Sequence, residues 1–246
     1  MFIHDGCRAS KMTPEIVRAL KDLREGKIVL VFDSDNRERE TDMVVASEKV
    51  TPGVIRTMRK EAGGLICATV HDDIRERIGT PYLADLFSDV SSSYPVLSKL
   101  TPDDIPYDAK SAFSITINHR KTFTGITDND RALTISEFAN LAKISLSQDN
   151  GWAKDEFGRQ FRAPGHVYLL NARRDLLTSR TGHTELTTAL MVMAGVTPSA
   201  TICEMMGDDG NSLPKEEAKA YAVRNGLCYL EGSEVVKAWR SGEWSR

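Results

Sequence analysis

The sequence uses little cysteine, and the spacing of its cysteines fits neither a metal site nor a disulfide framework. Cys7, Cys67, Cys203 and Cys228 are scattered over 246 residues without a C-x-x-C pair. Zinc fingers and disulfide-stapled scaffolds need closely spaced cysteines, so neither class is indicated. Three of the four lie in apolar runs, which predicts reduced, buried thiols like those of cytosolic proteins.

Long apolar runs and an excess of basic residues are also missing. No apolar stretch approaches the roughly 20 residues that a membrane-spanning helix needs. The formal net charge of −3 and a pI of about 6.0 argue against a dedicated nucleic-acid-binding protein. The first ten residues, MFIHDGCRAS, lack the apolar core of a secretion signal. We therefore expect a soluble, cytoplasmic, globular protein.

Glycine is absent from residues 33–42, DSDNRERETD, which lie between two strand-like apolar runs. A tight hairpin is therefore not expected here. An EF-hand is excluded, because Arg37 and Glu38 stand where that loop needs Asp or Asn and then glycine. Two interpretations remain: a solvated turn of mixed charge, or a loop that closes over a ligand around a divalent cation such as Mg²⁺ or Mn²⁺. The acids of this acidic loop are Asp33, Asp35, Glu38, Glu40 and Asp42, with Arg37 and Arg39 among them.

A second stretch, SRTGHTELTTALMVMAG at 179–195, combines a helical apolar stripe with a polar entry. Residues Arg180 to Thr184 place arginine, hydroxyls and free backbone N–H groups at the predicted helix N-terminus. Such an end attracts anions, and a phosphate is the natural ligand. His183 is a candidate ligand of phosphate or metal. An ordinary capped helix remains the alternative.

Three single residues have both a structural and a catalytic interpretation. Glu204 lies in the apolar stretch ICEMM, where a carboxylate is costly unless it is paired, neutralised or used as an acid or base. Cys67 lies in the strand-like GGLICATV, where burial in the core is favoured on pattern alone. His166 begins the strand-like HVYLLNA and is more often structural than catalytic in such a position.

The order of the elements predicts an α/β (α+β) fold in which a mixed, twisted sheet forms the middle of a three-layer α/β/α single domain, residues 1–246. Thr13-Pro14 begins a helix that runs to about residue 25. Thr134 and Glu137 have the spacing of a capping box before another helix. Residues 85–110, rich in Ser, Pro and Asp, read as a surface insertion without a role, and 147–165 as a polar loop.

Five motifs, in order, resemble those of the 3,4-dihydroxy-2-butanone 4-phosphate synthases of riboflavin biosynthesis. The resemblance covers about residues 13–230, and one motif alone would be weak evidence. The 85–110 stretch is longer than in bacterial members and similar to archaeal ones. No cyclohydrolase II half follows the motifs, so the chain resembles the stand-alone form of the enzyme. The motifs are FDSDNRERETDMVVASE, GGLICATV, APGHVYLL, RTGHTEL and ICEMMGDDG.

The resemblance implies a metal-dependent carbon–carbon lyase that converts D-ribulose 5-phosphate to L-3,4-dihydroxy-2-butanone 4-phosphate and formate. It implies two Mg²⁺ or Mn²⁺ ions per subunit, no organic cofactor, and a homodimer with its pocket near the subunit interface. Glu38 and His183 would ligate the metal, and Glu204, His166 and Cys67 would be catalytic, with Asp33 and Glu40 assisting. The substrate would be bound by Arg37, Glu38, Asp42, Arg180, Thr181, Gly182, His183, Thr184 and Glu204.

Two other functions remain open from the residues alone. A metal-dependent sugar-phosphate phosphatase would use the same cation and anion sites but release inorganic phosphate instead of formate. A nucleotide- or RNA-binding module of a related three-layer fold is disfavoured by the low pI and the acidic loop.

Overall fold

A computed structural model describes residues 12–245 of the chain. These residues form one mixed sheet of seven strands, whose spatial order is β4-β5-β3-β6-β2-β1-β7. The strands are β1 (Val29–Phe32), β2 (Thr41–Ala46), β3 (Cys67–Val70), β4 (Phe113–His119), β5 (Phe161–Asn171), β6 (Ala200–Glu204) and β7 (Cys228–Glu231).

Helices cover both faces of the sheet, which confirms the three-layer α/β/α prediction. Alternate residues of β1 show why: Val29 and Val31 pack on one face and Leu30 on the other, and all three are fully buried. One face is covered by α1 (Pro14–Arg24), α7 (His183–Ala194) and α9 (Gly232–Ser241). The other is covered by α2 (Pro52–Thr57), α3 (Asp72–Ile78), α5 (Asp128–Ser145), α6 (Asn150–Gln160) and α8 (Lys215–Asn225).

The pairing of the central strands brings three strand ends to one edge of the sheet. β2 and β6 are antiparallel and in register, so that Asp42 lies opposite Glu204. β3 is antiparallel to β6, and Cys67 pairs with Ile202. The start of β2, the end of β6 and the start of β3 therefore lie side by side, and each carries a candidate site residue.

Two local predictions were wrong, for identifiable reasons. Thr134 is buried inside α5 and does not cap it; Thr127 is the N-cap and accepts a hydrogen bond from the Asp130 N–H. Residues 147–165 are not a loop, because Asp149 caps α6 and β5 begins at Phe161. Residues 147–165 were interpreted as a loop because α6 is mostly polar and lacks a clear apolar stripe.

The 85–110 stretch contains more regular structure than a surface loop. A helix, α4 (Leu83–Asp89), begins it, and a 3₁₀ turn spans Pro95–Lys99. Neither contains a buried residue, so the stretch lies on the outside of the domain. Its C-terminal end, however, returns to the sheet at β4.

The three described cysteines, Cys67, Cys203 and Cys228, are free and buried, as predicted. Cys7 lies outside the described residues. Within residues 12–245, every helix is too short or too polar to cross a bilayer.

Candidate active site

A cavity of about 210 Å³ opens where the three strand ends meet the start of α7. This volume suits a small ligand, because sites for drug-sized molecules usually run from about 300 to 1,000 Å³. The lining comes from the acidic loop, β2, β3, β6, α7 and the end of the 85–110 stretch. Its polar members are Glu38, Asp42, Cys67, Tyr107, Asp108, Ser111, Arg180, His183, Thr184 and Glu204.

The acidic loop turns without glycine because its backbone wraps around one carboxylate. The side chain of Asp33 is 0% exposed and accepts hydrogen bonds from the backbone N–H groups of Glu38 (2.9 Å) and Glu40 (3.2 Å). Arg39 adopts a left-handed conformation, with φ of 61°. Buried N–H groups need such partners, so Asp33 fixes the loop that presents Glu38.

His183 connects the acidic loop to the sheet. Its Nδ1 lies 3.2 Å from Glu38 Oε2, and its Nε2 lies 3.6 Å from Asp42 Oδ1. Burial acts to lower the pKa of His183, but the charges of Asp42 and Glu38 outweigh it and raise the pKa to about 10. Without a metal the ring is therefore a buried imidazolium between two carboxylates.

The carboxylates around His183 differ in their pKa values. Burial raises the pKa of Asp42 well above its usual value, against the opposing charge of His183. Burial also acts on Glu38, but its hydrogen bond with His183 outweighs this and lowers the pKa. Burial and the charge of Glu38 raise the pKa of the half-buried Glu40. Such divergent values in one cluster are typical of functional sites.

The donor set suits a hard divalent cation. Asp33, Glu38 and His183 each offer one ligand atom, and these atoms lie within 4.8 Å of one another. Among the described residues, His183 Nε2 and Asp42 Oδ1 are buried without a hydrogen-bond partner. Buried polar atoms are seldom left unpaired, so both point to a ligand. Two carboxylates and one imidazole match Mg²⁺ or Mn²⁺ better than a thiolate-seeking metal.

Glu204 is held at the end of β6 by the segment that precedes β3. Its Oε2 accepts a hydrogen bond from the Leu65 N–H at 2.7 Å, and its carbonyl accepts one from the Gly64 N–H at 3.0 Å. A Cβ at residue 64 would lie 2.6 Å from that carbonyl oxygen, so this position requires glycine. The carboxylate therefore faces the cavity beside Asp42 in a fixed position.

Two guanidinium groups, Arg37 and Arg180, lie together at the N-terminus of α7; we call them the arginine pair. A Cβ on Gly182 would collide with both groups, so glycine lets them approach the helix end. No side chain caps α7, and Thr184 and His183 are buried in its first turn. Cationic groups and the first backbone N–H groups of the helix converge there, an arrangement that favours an anion. Thr181 lines an adjoining cavity, again beside the arginine pair.

Two acidic residues that the sequence did not single out complete this anion site. Glu185 is fully buried and pairs with Arg180, and it accepts a hydrogen bond from the Arg173 N–H at 3.0 Å. Asp108, from the 85–110 stretch, contacts both members of the arginine pair. Glu185 stood inside the RTGHTEL motif and was accessible from sequence, whereas no local pattern marked Asp108.

Cys67 lines the cavity, but the structure does not bring His166 into the lining formed by the described residues. Burial, reinforced by Glu204 and Asp42, raises the pKa of Cys67 well above its usual value, so the group is a neutral thiol near pH 7. His166 lies on β5, where Asn118 Oδ1 accepts from its backbone N–H. The imidazole ring is held by the same side chain, since Asn118 Nδ2 lies 3.1 Å from His166 Nδ1.

A family model and several known proteins of similar sequence carry the same description. A family model described as 3,4-dihydroxy-2-butanone 4-phosphate synthase matches residues 17–238. The protein of that name from Methanothermobacter thermautotrophicus is 55% identical over 225 residues, covering 91% of this chain and 95% of the relative. The one from Methanosarcina mazei is 46% identical over 227 residues, covering 91% of this chain and 90% of the relative.

The similarity extends to solved structures. A crystal structure of 3,4-dihydroxy-2-butanone 4-phosphate synthase in complex with two magnesium ions is 25% identical, with a TM-score of 0.72. The match covers 94% of this chain and 99% of that one.

Proposed function

The chain belongs to the 3,4-dihydroxy-2-butanone 4-phosphate synthase family, and on that premise we propose which of its residues bind the substrate and which move its protons. The enzyme converts D-ribulose 5-phosphate to L-3,4-dihydroxy-2-butanone 4-phosphate and formate, a step of riboflavin biosynthesis. It is a lyase that uses a divalent metal. The observation that carries this function here is the adjacency of the cluster Asp33, Glu38 and His183 to the arginine pair.

Glu38 and His183 hold the metal, and Asp33 and Asp42 support them. The buried atoms His183 Nε2 and Asp42 Oδ1, which lie 3.6 Å apart and make no hydrogen bond, favour this assignment. Two Mg²⁺ ions per subunit, replaceable by Mn²⁺, are proposed on the same ligands together with the substrate's own oxygens. When bound, a divalent cation stabilises negative charge on the adjacent oxygens of an enediolate. His183 must lose its proton to act as a ligand, so metal uptake releases it.

The phosphoryl group of the substrate binds at the N-terminus of α7. The arginine pair supplies charge-assisted hydrogen bonds, and the residues from Thr181 to Thr184 supply backbone N–H groups and hydroxyls. Anchoring this end directs the carbonyl end of the sugar toward Glu204 and Cys67. Binding energy at the phosphate is thereby used to orient the reacting carbons.

Glu204 carries protons to and from the sugar, and Cys67 lines the reacting end. The hydrogen bond from the Leu65 N–H fixes the carboxylate, so it requires no rearrangement between acting as a base and acting as an acid. Cys67 contributes a neutral thiol and a tight apolar wall against β6. His166, on β5 outside the cavity lining of the described residues, is the third proposed catalytic residue, and its Nδ1 lies 3.1 Å from Asn118 Nδ2. The negative charge of Glu40 makes the electrostatic potential around the metal ligands more negative.

The chain is proposed to act as a cytoplasmic homodimer. β4 forms one margin of the sheet, and Phe123, just beyond it, is 94% exposed. A bare sheet edge with a large exposed apolar side chain favours pairing with a second chain.

The decisive assay supplies purified protein with ribulose 5-phosphate and Mg²⁺ and measures formate, with EDTA as the metal-removal control. We expect formate that EDTA abolishes. Glu38→Gln and His183→Ala should each lower formate release about 100-fold or more, because each removes a metal ligand, while circular dichroism stays unchanged. Exposed Glu61→Gln is the matched control.

Three outcomes would contradict the proposal. Normal turnover by either ligand variant would remove the metal assignment. Release of inorganic phosphate in place of formate would identify a sugar-phosphate phosphatase, and retention of RNA without turnover would identify a binding module.

A further inference from the structure

A single oxygen atom of Asp108, in the 85–110 stretch, contacts N–H donors of both members of the arginine pair. Asp108 Oδ2 lies 3.1 Å from Arg37 Nη2, 2.6 Å from Arg180 Nε and 2.5 Å from Arg180 Nη2. The side chains of all three residues are only 10 to 13% exposed. A single carboxylate oxygen thus bridges two guanidinium groups in the arrangement that a phosphoryl oxygen adopts.

The contact comes from a segment that is otherwise lightly attached. Neighbouring Tyr107 places its ring 5.5 Å below the Arg37 guanidinium, and the Lys110 N–H donates to Asp108 Oδ1. Residues between the 3₁₀ turn and Asp108 are mainly exposed, and Leu100 is 62% exposed. The segment has few buried contacts that would resist its release.

The local charge balance does not leave room for both Asp108 and a phosphate. Arg37 already contacts Asp33 and Glu38, and Arg180 pairs with Glu185. A phosphate monoester brings roughly two further negative charges at neutral pH. Carboxylate and phosphate would compete for the same N–H groups and repel each other at contact distance.

We propose that Asp108 is a resident counter-ion of the arginine pair, which the phosphoryl group of the substrate must displace. Asp108 keeps the two buried guanidinium groups paired and correctly placed in the free enzyme, at a cost in affinity for the incoming anion. It is a positioning residue and touches no reacting atom. This inference rests on the proposed function, because it takes the arginine pair as the phosphate site.

The test measures binding of inorganic phosphate by calorimetry, in EDTA and at fixed ionic strength. Asp108→Asn and Asp108→Ala should each bind phosphate about tenfold more tightly than the wild-type chain, because the competing charge is gone. The KM for ribulose 5-phosphate should fall in the same direction. Asp103→Asn, an equal charge change at an exposed position of the same stretch, should bind like wild type.

A second measurement needs no substitution and so does not depend on the folding of a variant. In hydrogen–deuterium exchange of the wild-type chain, phosphate should speed exchange of the amides from 103 to 110, because it releases Asp108. Unchanged or weaker phosphate binding by the variants, or slower exchange in this segment, would overturn the proposal. Formate release by the wild-type chain is measured in parallel. If formate is released but these results fail, only the role of Asp108 is wrong. If no formate is released, the proposed function itself is wrong.

Discussion

The acidic residues of the cavity occupy very different environments although they are close in space. Asp42 is 1% exposed and has a raised pKa, whereas Glu38, on the loop above, is partly exposed and has a lowered one. His183 lies between them and causes part of the difference. One histidine thereby holds two carboxylates that would otherwise repel each other.

Glu204→Gln tests the role of the strand carboxylate. The amide keeps the size and the hydrogen bond from the Leu65 N–H but cannot take a proton, so kcat should fall by about two orders of magnitude or more. Calorimetry should show substrate affinity within about threefold of wild type. Exposed Glu217→Gln is the control. An unchanged kcat combined with weaker binding would show that Glu204 only binds.

The sequence identified most of this cavity residue by residue, and the exceptions have a physical reason. Glu38, Asp42, His183 and Glu204 belong to continuous motifs in which the unusual placement of charge is visible locally. Asp108 lies 71 residues from Arg37 and 72 from Arg180. Asp108 meets these partners only because of the way the 85–110 stretch folds back to the sheet, and no local sequence pattern predicts that path. The resemblance placed His166 at the reacting end of the substrate with the other residues. The spacing of residues along one chain does not show whether its side chain reaches the cavity.

At the scale of elements, the cap at Thr13-Pro14 was predicted correctly, because α1 begins at Pro14 with Thr13 as its N-cap, whereas the start of α5 was misplaced. The apolar run expected after residue 42 is a strand, but that strand already begins at Thr41, a difference within the usual scatter of assigned ends. The capping box at Thr134 was wrong because a better cap, Thr127, lies two turns earlier. Local spacing cannot rank two competing caps when packing decides between them.

One contact between elements should give stability a defined pH dependence. Glu48, just after β2, accepts hydrogen bonds from the Thr197 N–H (3.2 Å) and hydroxyl (2.6 Å), on the loop before β6. Burial acts to raise the pKa of Glu48, but these two bonds outweigh it and lower the pKa below 4.5. The stability they supply is therefore present above the unfolded pKa and is lost as the pH falls through the folded one.

Glu48→Ala should lower the free energy of unfolding by about 1 to 3 kcal/mol near neutral pH. The difference from wild type should shrink as the pH is lowered below about 4.5. Urea unfolding near neutral pH and below about pH 4.5 measures this difference in the free energy of unfolding. Glu61→Ala, which removes an exposed acid on a helix, is the control. A difference that stays constant or grows in acid would show that the ionised carboxylate contributes nothing.

At the scale of the whole molecule, exposed apolar groups are unevenly distributed around the sheet. Phe113, Phe123 and Ile126 are 38%, 94% and 51% exposed, and all lie at or just beyond the outer strand β4. Val223, on α8, is also highly exposed, at 82%, but belongs to a different surface.

Sedimentation velocity should therefore find a dimer at micromolar concentration. Phe123→Asp should increase the monomer fraction about tenfold or more, because it places a charge in the contact. Val223→Asp, the same kind of change on α8, should leave the dimer intact. A wild-type chain that remains monomeric, or equal dissociation by both variants, would exclude β4 as the contact.

The register between β2 and β6 limits how this catalyst can diverge. Asp42 faces the cavity only because Thr41 and Met43, on either side of it along the strand, point the opposite way. A shift of β2 by one residue against β6 would leave the seven-stranded sheet recognisable yet turn a methyl or thioether toward the substrate. Among descendants of this chain, we therefore expect the length of the 85–110 stretch to vary and the number of residues from Asp33 to Met43 to stay constant.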